Sequence, residues 1–306
     1  MKVINPHITA ISIALTDTIP LHVYMVKGDD KAFLIDSGIK SMHGEIMEMI
    51  QQTDVKLKSI LHTHSHHDHI GGNAQLIEKT GCQIIAPKAH AHWHEDWDAH
   101  YNEFARPFPE IFSDTQALRD EVFGIMDAPH KVDAFCKEGD VFKLGNNIEL
   151  TCFMFSGHLL EEAGWYESKT KTLILGDVIT LLDAPFIHGH LTVQGYRDSL
   201  KKLKNLIENK PVDQILMAHF PPMAPTAFKN LIQQAAAYID TLESTIINLL
   251  KEAPLSLKAL WVKTCDAMGK AHEFRSLSTV HAHIKDLQAK GIVRILPDEK
   301  IEYYGK

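Results

Sequence analysis

Six consecutive residues constrain this chain more than any others: His64-Ser65-His66-His67-Asp68-His69, an H-x-H-x-D-H string. Three more metal-binding side chains follow in order. They are His158 in Phe155-Ser156-Gly157-His158, Asp177 in Leu175-Gly176-Asp177, and His219 in Met217-Ala218-His219. One ion needs about four or five such ligands. The full set of His64, His66, Asp68, His69, His158, Asp177 and His219 suits a pair of ions bridged by water.

The string directly follows an apolar run, Leu57-Lys58-Ser59-Ile60-Leu61, and directly precedes Ile70-Gly71-Gly72-Asn73. That order predicts strand, loop, then helix. A loop at a strand end is where a rigid sheet can hold reactive side chains. The loop can aim His64 and His66 at one point, and Asp68 and His69 at a neighbouring one. Gly71 and Gly72 are expected to supply the backbone freedom for the turn into the helix.

Imidazole nitrogens and carboxylate oxygens suit Zn, Fe(II) or Mn, with no thiolate needed. Asp177 ends a buried-strand pattern, Thr172-Leu173-Ile174-Leu175, and its two oxygens can bridge two ions. His158 and His219 also follow apolar strands, Glu149 to Phe155 and Gln214 to Met217. All contributions come from strand ends, the pattern of one site on one edge of a sheet. The chain holds 20 histidines, so some clustering follows from composition alone. The repeated strand-end context sets these apart.

These residues resemble the metallo-β-lactamase fold superfamily, over residues 1 to about 235. Leu21 to Val26 followed by Lys31 to Gly38 is similar to the family's first hairpin, which ends in an Asp-Ser/Thr-Gly turn, here Asp36-Ser37-Gly38. Tyr196 to Leu203 resembles the helix found after the bridging Asp. The resemblance implies an αββα sandwich. It implies that His64, His66 and His158 hold one metal, that Asp68, His69 and His219 hold a second, and that Asp177 bridges. Strand patterns alternating with helix patterns, as in 41–52 and 198–209, agree with a layered α/β fold. The segments after His158 and around His219 depart from the family's usual His-Thr-x-Gly-Ser and Gly-His-Gly. Pro221 and Pro222 are expected to stiffen the loop after His219.

A two-metal centre lowers the pKa of bridging water and polarises a carbonyl or phosphoryl oxygen. The expected activity is therefore hydrolysis by a metal-bridging hydroxide, with Asp68 orienting it or moving a proton. The cofactor expected is two divalent ions, zinc first, with iron or manganese as alternatives. Asp36 is the candidate for fixing a ligand's tautomer, with His62 and His67 behind it; His67 is also read as pointing away from the site. Residues 63–73 resemble the glyoxalase II and lactonase branches, which implies a small ester, thioester or lactone as substrate. The alternatives are a phosphodiesterase or ribonuclease of the same fold, and a mononuclear iron persulfide dioxygenase. His66 stands where flavodiiron proteins carry Glu, which argues against those.

Composition narrows the partners. A net charge of -8 opposes binding to long polyanions. No long apolar window predicts a membrane span, and the first residues lack the apolar stretch of a signal peptide. Cys82, Cys136, Cys152 and Cys265 are widely spaced and read as buried thiols, so a reducing cytoplasm is expected.

Residues about 89–132 read as a helical and loop-like insertion. Trp93, Trp97, Phe104, Phe108 and Phe112 could form a substrate-pocket wall there, or equally serve a homodimer contact or a satellite core. His90, His92, His94 and His100 are read as a solvated helix face. Residues 236–306 read as a winged-helix-like second domain. Its helices are expected at 239–251, 257–267 and 278–290, with Ser278 as N-cap and Gly291 as the stop, followed by a hairpin around Pro297-Asp298-Glu299. Residues 237–306 carry ten Lys/Arg against nine Asp/Glu. That thin phosphate-binding surface favours a wall of the active site over a nucleic-acid module.

Overall fold

Alternating burial along the strands sets the layers. In β3 (Pro20–Lys27), Val23 and Met25 face one core while Tyr24 and Val26 face another. β11 (Thr172–Leu175) and β12 (Gln214–Met217) repeat the pattern, with Leu173, Leu175, Ile215 and Met217 on one side and Ile174 and Leu216 on the other. Side chains alternate across a strand, so a continuous apolar run means burial on both faces.

The computed structural model describes residues 1–187 and 189–305. Its seven-stranded sheet runs β1 (Lys2–Asn5), β2 (Ile8–Ala14), β3, β4 (Lys31–Ile35), β5 (Lys56–Leu61), β6 (Gln83–Ala86) and β7 (Ala134–Phe135) in spatial order. The first four strands pair antiparallel, and β4 to β7 pair parallel. The six-stranded sheet has the order β13 (Phe220–Met223), β12, β11, β10 (Glu162–Glu167), β9 (Ile148–Phe155) and β8 (Val141–Gly145). The two sheets share a core that includes Tyr24, Phe33, Leu61, Leu150, Trp165 and Leu216.

Helices cover both outer faces. On the first sheet lie α1 (His43–Gln51) and α3 (Asn73–Thr80), through Ile46, Met49 and Leu76. The short α2 (His67–Ile70) precedes α3. On the second sheet lie α6 (Val193–Asn209) and the first half of α7 (Pro225–Glu252). The layers are helix, sheet, sheet, helix, as the resemblance implies. Pro221 and Pro222 lie in the edge strand β13 rather than in a free loop, where a missing N–H costs no ladder bond.

The 89–132 segment is helical and loop-like as expected, with short helical turns, α4 (Trp97–His100) and α5 (Gln116–Phe123). His90, His94 and His100 are buried, however, so they are not a solvated face. His100 stacks on Trp93 with ring centroids 4.7 Å apart. Aromatic packing inside the insertion outweighs the cost of burying these rings.

α7 is one unbroken helix through residue 235. Ile232, Ala235 and Ile239 belong to the core under the second sheet, whereas Leu242, Ile246 and Leu250 belong to a separate core. That second core is completed by α8 (Leu257–Met268), α9 (Phe274–Ala289) and a hairpin of β14 (Val293–Ile295) and β15 (Ile301–Tyr303). α9 starts before Ser278, with Glu273 at its N-cap, because Phe274 and Leu277 are buried on its inner face. Gly291 follows its end with φ +70°, as a helix stop requires. No helix among the described residues is long and apolar enough to cross a membrane.

Candidate metal centre

The predicted ligands converge. His64, His66 and His158 offer one nitrogen each to a common point, and Asp68, His69 and His219 share another, while Asp177 groups with His64 and His69. All seven are buried. The site does not sit on one sheet edge as expected. β5 of the first sheet delivers His64 to His69, and β9, β11 and β12 of the second deliver His158, Asp177 and His219. The centre therefore bridges the two sheets at one end of the sandwich.

In the first group His66 Nδ1 lies 3.1 Å from His64 Nε2 and 2.9 Å from His158 Nε2. In the second, His219 Nε2 lies 3.2 Å from Asp68 Oδ2, and His69 Nε2 lies 3.6 Å from the same oxygen. Asp177 reaches both. Its Oδ2 is 3.6 Å from His158 Nε2, and its Oδ1 is 3.7 Å from His69 Nε2 and 3.5 Å from His219 Nε2.

Polar groups behind the ligands fix their tautomers. His158 Nδ1 donates to Gly189 O at 2.7 Å, His219 Nδ1 to Pro20 O at 2.7 Å, and His69 Nδ1 to Asp36 Oδ2 at 2.9 Å. Each bond leaves Nε2 facing the centre. Asp36 has φ +60°, in the left-handed region, and its carboxylate also accepts from Thr63 N at 2.7 Å and Thr63 Oγ1 at 2.8 Å. His62 contacts Asp36 Oδ1 at 3.3 Å and Asn73 Oδ1 at 2.9 Å. Asn73 in turn meets His94, whose other nitrogen is 3.1 Å from Ser65 Oγ. Sequence reasoning found Asp36 and His62 but missed Thr63, Asn73 and His94. Only the spatial neighbourhood links these to the string.

The glycines act through space. Gly71 (φ −67°) and Gly72 (φ −104°) use backbone conformations open to any residue. A Cβ on Gly71 would lie 2.7 Å from the carbonyls of His67 and Ile125, and one on Gly72 would lie 2.8 Å from Ser37 O. Gly176 is closed off in the same way by Thr63 and His64.

Burial lowers the pKa values of His64 and His66 well below the ordinary imidazole value, and the neighbouring imidazoles add to it. For His69, burial acts downward too, but Asp68, Asp36 and Asp177 outweigh it and hold the pKa up to about 10. Asp177 and Asp68 likewise overcome burial at His219 and hold it up to about 9. Burial works against ionising Asp68, yet His69 and His219 pull it well below the usual carboxylate range.

This donor set fits divalent ions. His69 Nε2 and Asp177 Oδ1 are buried without a hydrogen-bond partner among the described residues, and they face each other. Buried polar atoms are nearly always satisfied, and a divalent ion bound here in place of the His69 proton would satisfy both atoms. Nitrogen and carboxylate ligands without sulfur match Zn, Fe(II) or Mn.

A cavity of about 730 Å³ opens onto the centre and is lined by His66, His67, Asp68, Asp177 and His219. His67 thus faces the cavity rather than pointing away. Phe104 and Arg275 complete part of its wall. The expected aromatic wall is only partly there. Trp93 lines a smaller adjoining recess with Phe104, while Trp97 stacks on Phe123 and Phe108 packs on His281. Phe112 packs against Trp261 and Phe274. Phe108 and Phe112 pack against the core of the C-terminal helices, Phe112 also joins the insertion's own small core, and Trp97 is taken up by its stack with Phe123.

A family model described as the metallo-beta-lactamase superfamily matches residues 18–219. Among curated proteins, a hydroxyacylglutathione hydrolase of Bdellovibrio bacteriovorus is 26% identical over 187 residues, covering 60% of this chain and 59% of that protein. One from Pelagibacter ubique is 27% identical over 167 residues, covering 55% and 54%. The chain spans less than two thirds of the length of these relatives. Among solved structures, a metallo-beta-lactamase family protein from Thermus thermophilus superposes with a TM-score of 0.79 at 16% identity, covering 98% of this chain and 100% of the other. A beta-lactamase domain protein from Burkholderia ambifaria gives 0.72 at 15% identity, covering 98% and 92%. At such identities the likeness concerns the fold alone, and its coverage includes elements beyond residue 219.

Proposed function

The chain belongs to the metallo-beta-lactamase superfamily, and from that premise we propose that it is a dinuclear metal-dependent hydrolase of a small thioester or ester. The observation that carries this reading is Asp177, whose two oxygens face different ligand groups. A carboxylate shared between two nitrogen-rich groups is the arrangement that holds two ions side by side. Bound there, divalent ions supply Lewis-acid polarisation of a carbonyl and hydroxide near neutral pH.

The chain's own residues do the rest. His64, His66 and His158 would hold one ion and Asp68, His69 and His219 the other, with Asp177 placed to serve both. Asp68 both meets His219 and lines the cavity, so it is the group placed to orient the nucleophile and carry a proton toward the leaving group. Asp36 keeps His69 in its ligating tautomer. The names of the hydroxyacylglutathione hydrolases favour a thioester over a phosphodiester, as does the net charge of -8.

The C-terminal elements are read as a winged-helix-like unit of residues 236–306 that walls the active site; Lys306 lies outside the described residues. Supporting this, α9 sends Arg275 to the cavity and buries His283, while His281 packs on Phe108. Lys290 is engaged by Asp286 at 2.6 Å. Lys285 is also exposed on this helix. A helix packed this way has little left to place in a DNA groove. No shift of duplex DNA at moderate salt is the expected outcome.

A panel of thioesters, oxyesters, lactones and phosphodiesters tests the reading. Metal-dependent turnover of a thioester or ester supports it. Turnover of phosphodiesters alone, or oxygen consumption with a persulfide, contradicts it.

A further inference from the structure

Helix α9 grips the segment that orients His158. Ile187 N donates to Ser276 Oγ at 2.9 Å, and His190 Nε2 lies 3.0 Å from His283 Nε2. A Cβ on Gly189 would come within 3.1 Å of Thr279, so the backbone there lies flat against the helix. Gly189 O is the acceptor for His158 Nδ1, and Leu191 N returns to Gly157 O at 2.7 Å. The peptide behind this metal-site histidine is therefore held on one side by the His158 strand and on the other by the C-terminal unit.

The histidine pair is the polar link in that grip. Both rings are buried, and His190 also stacks on Tyr196 with centroids 4.9 Å apart. Two neutral imidazoles joined Nε2 to Nε2 must differ in tautomer, one giving the hydrogen and the other the lone pair. His283 Nδ1 is buried without a partner among the described residues. An unbonded lone pair costs less there than an unbonded N–H, so His283 carries its hydrogen on Nε2 and donates to His190. Burial depresses both pKa values, which keeps the pair neutral near pH 7.

We propose that His283 is a positioning residue for the metal centre: through its hydrogen bond to His190 it fixes Gly189 O, and so the orientation of His158. The inference rests on the reading of His158 as a metal ligand. It gives the C-terminal unit a role in the reaction, and it explains why a buried polar pair persists where apolar packing would do.

The test uses the full chain, loaded with Co(II) as a spectroscopic probe. Chelator competition gives the affinity of each equivalent, and the visible d–d bands report the geometry. His283→Phe keeps the ring volume and removes the donor, while His283→Gln retains a donor. His283→Phe is expected to weaken one of the two cobalt equivalents about 10–100-fold and change its bands, leaving the other equivalent near wild type. His283→Gln is expected to recover most of that loss. If His283→Phe fails to fold, Ser276→Ala removes the neighbouring anchor to Ile187 and should give a smaller loss at the same equivalent. Wild-type affinity and bands in folded His283→Phe, or equal weakening of both equivalents, overturn the positioning role. A wild-type chain that binds no cobalt overturns the metal reading itself.

Discussion

Asp36 Oδ2 accepts a hydrogen bond from His69 Nδ1 at 2.9 Å, from a backbone held at φ +60°. Left-handed backbone is costly for any residue but glycine and persists where the surroundings demand it. Here the demand is visible, since the same carboxylate also takes the N–H and hydroxyl of Thr63. One acid thus ties the end of β4 to the metal loop and sets which nitrogen of His69 faces Asp68 and Asp177. Asp36→Ala should weaken one metal equivalent about 10–100-fold in chelator competition. Unchanged affinity for both equivalents would remove Asp36 from the account.

Gly176 is predicted to be intolerant of a methyl group. A Cβ there collides with Thr63 and crowds His64 Nδ1, and both belong to the metal loop. Gly176→Ala should cost about 1–3 kcal/mol in denaturant unfolding and lower the metal content with it. A variant with wild-type midpoint and full metal would show that the loop yields freely.

Stability of the metal-free protein should fall on mild acidification. Burial lowers the pKa of His190 to about 3, from the ordinary 6.5 of an imidazole. The unfolded chain therefore takes up the proton first as pH drops. The contribution is fully present above pH ~6.5 and is lost toward the folded value, at about 1.4 kcal/mol per pH unit for each such histidine. His283, His64, His66, His94 and His100, also lowered by burial, add in the same direction, while Glu162, which burial holds well above the ordinary carboxyl value, opposes them. His69 and His219 act oppositely, but their raised values move that effect above pH ~6.5, out of the window. Unfolding midpoints measured between about pH 5 and 6.5 should rise with pH. A flat or falling trend would contradict the burial of these imidazoles in neutral form.

Much of the site was legible because strand-end ligands repeat in order along the chain. His64, His66, Asp68, His69, His158, Asp177 and His219 each follow an apolar strand, and each reached the centre. What the sequence hid was either spatial or locally atypical. β10, Glu-Ala-Gly-Trp-Tyr-Glu, lacks β-branched residues, yet it is a fully buried central strand. Its burial comes from neighbours on both sides rather than from its own propensity. The N-terminal strands β1 and β2 were likewise unread, since pairing with β3 completes them. For Trp97, Phe108 and Phe112 the sequence leaves a pocket wall and a satellite core equally open, because an aromatic run alone does not say which side it faces. The His190–His283 contact joins positions 93 residues apart and leaves no local trace.

The central claim is that Asp177 joins two metal positions. The direct measurement is metal content by plasma mass spectrometry, on untagged protein and on Asp177→Ala. The account predicts about two equivalents of Zn, Fe or Mn per chain in the parent and a loss of both metal and hydrolysis in the variant. One equivalent in the parent after saturation with metal, or full activity in metal-free Asp177→Ala, would contradict it.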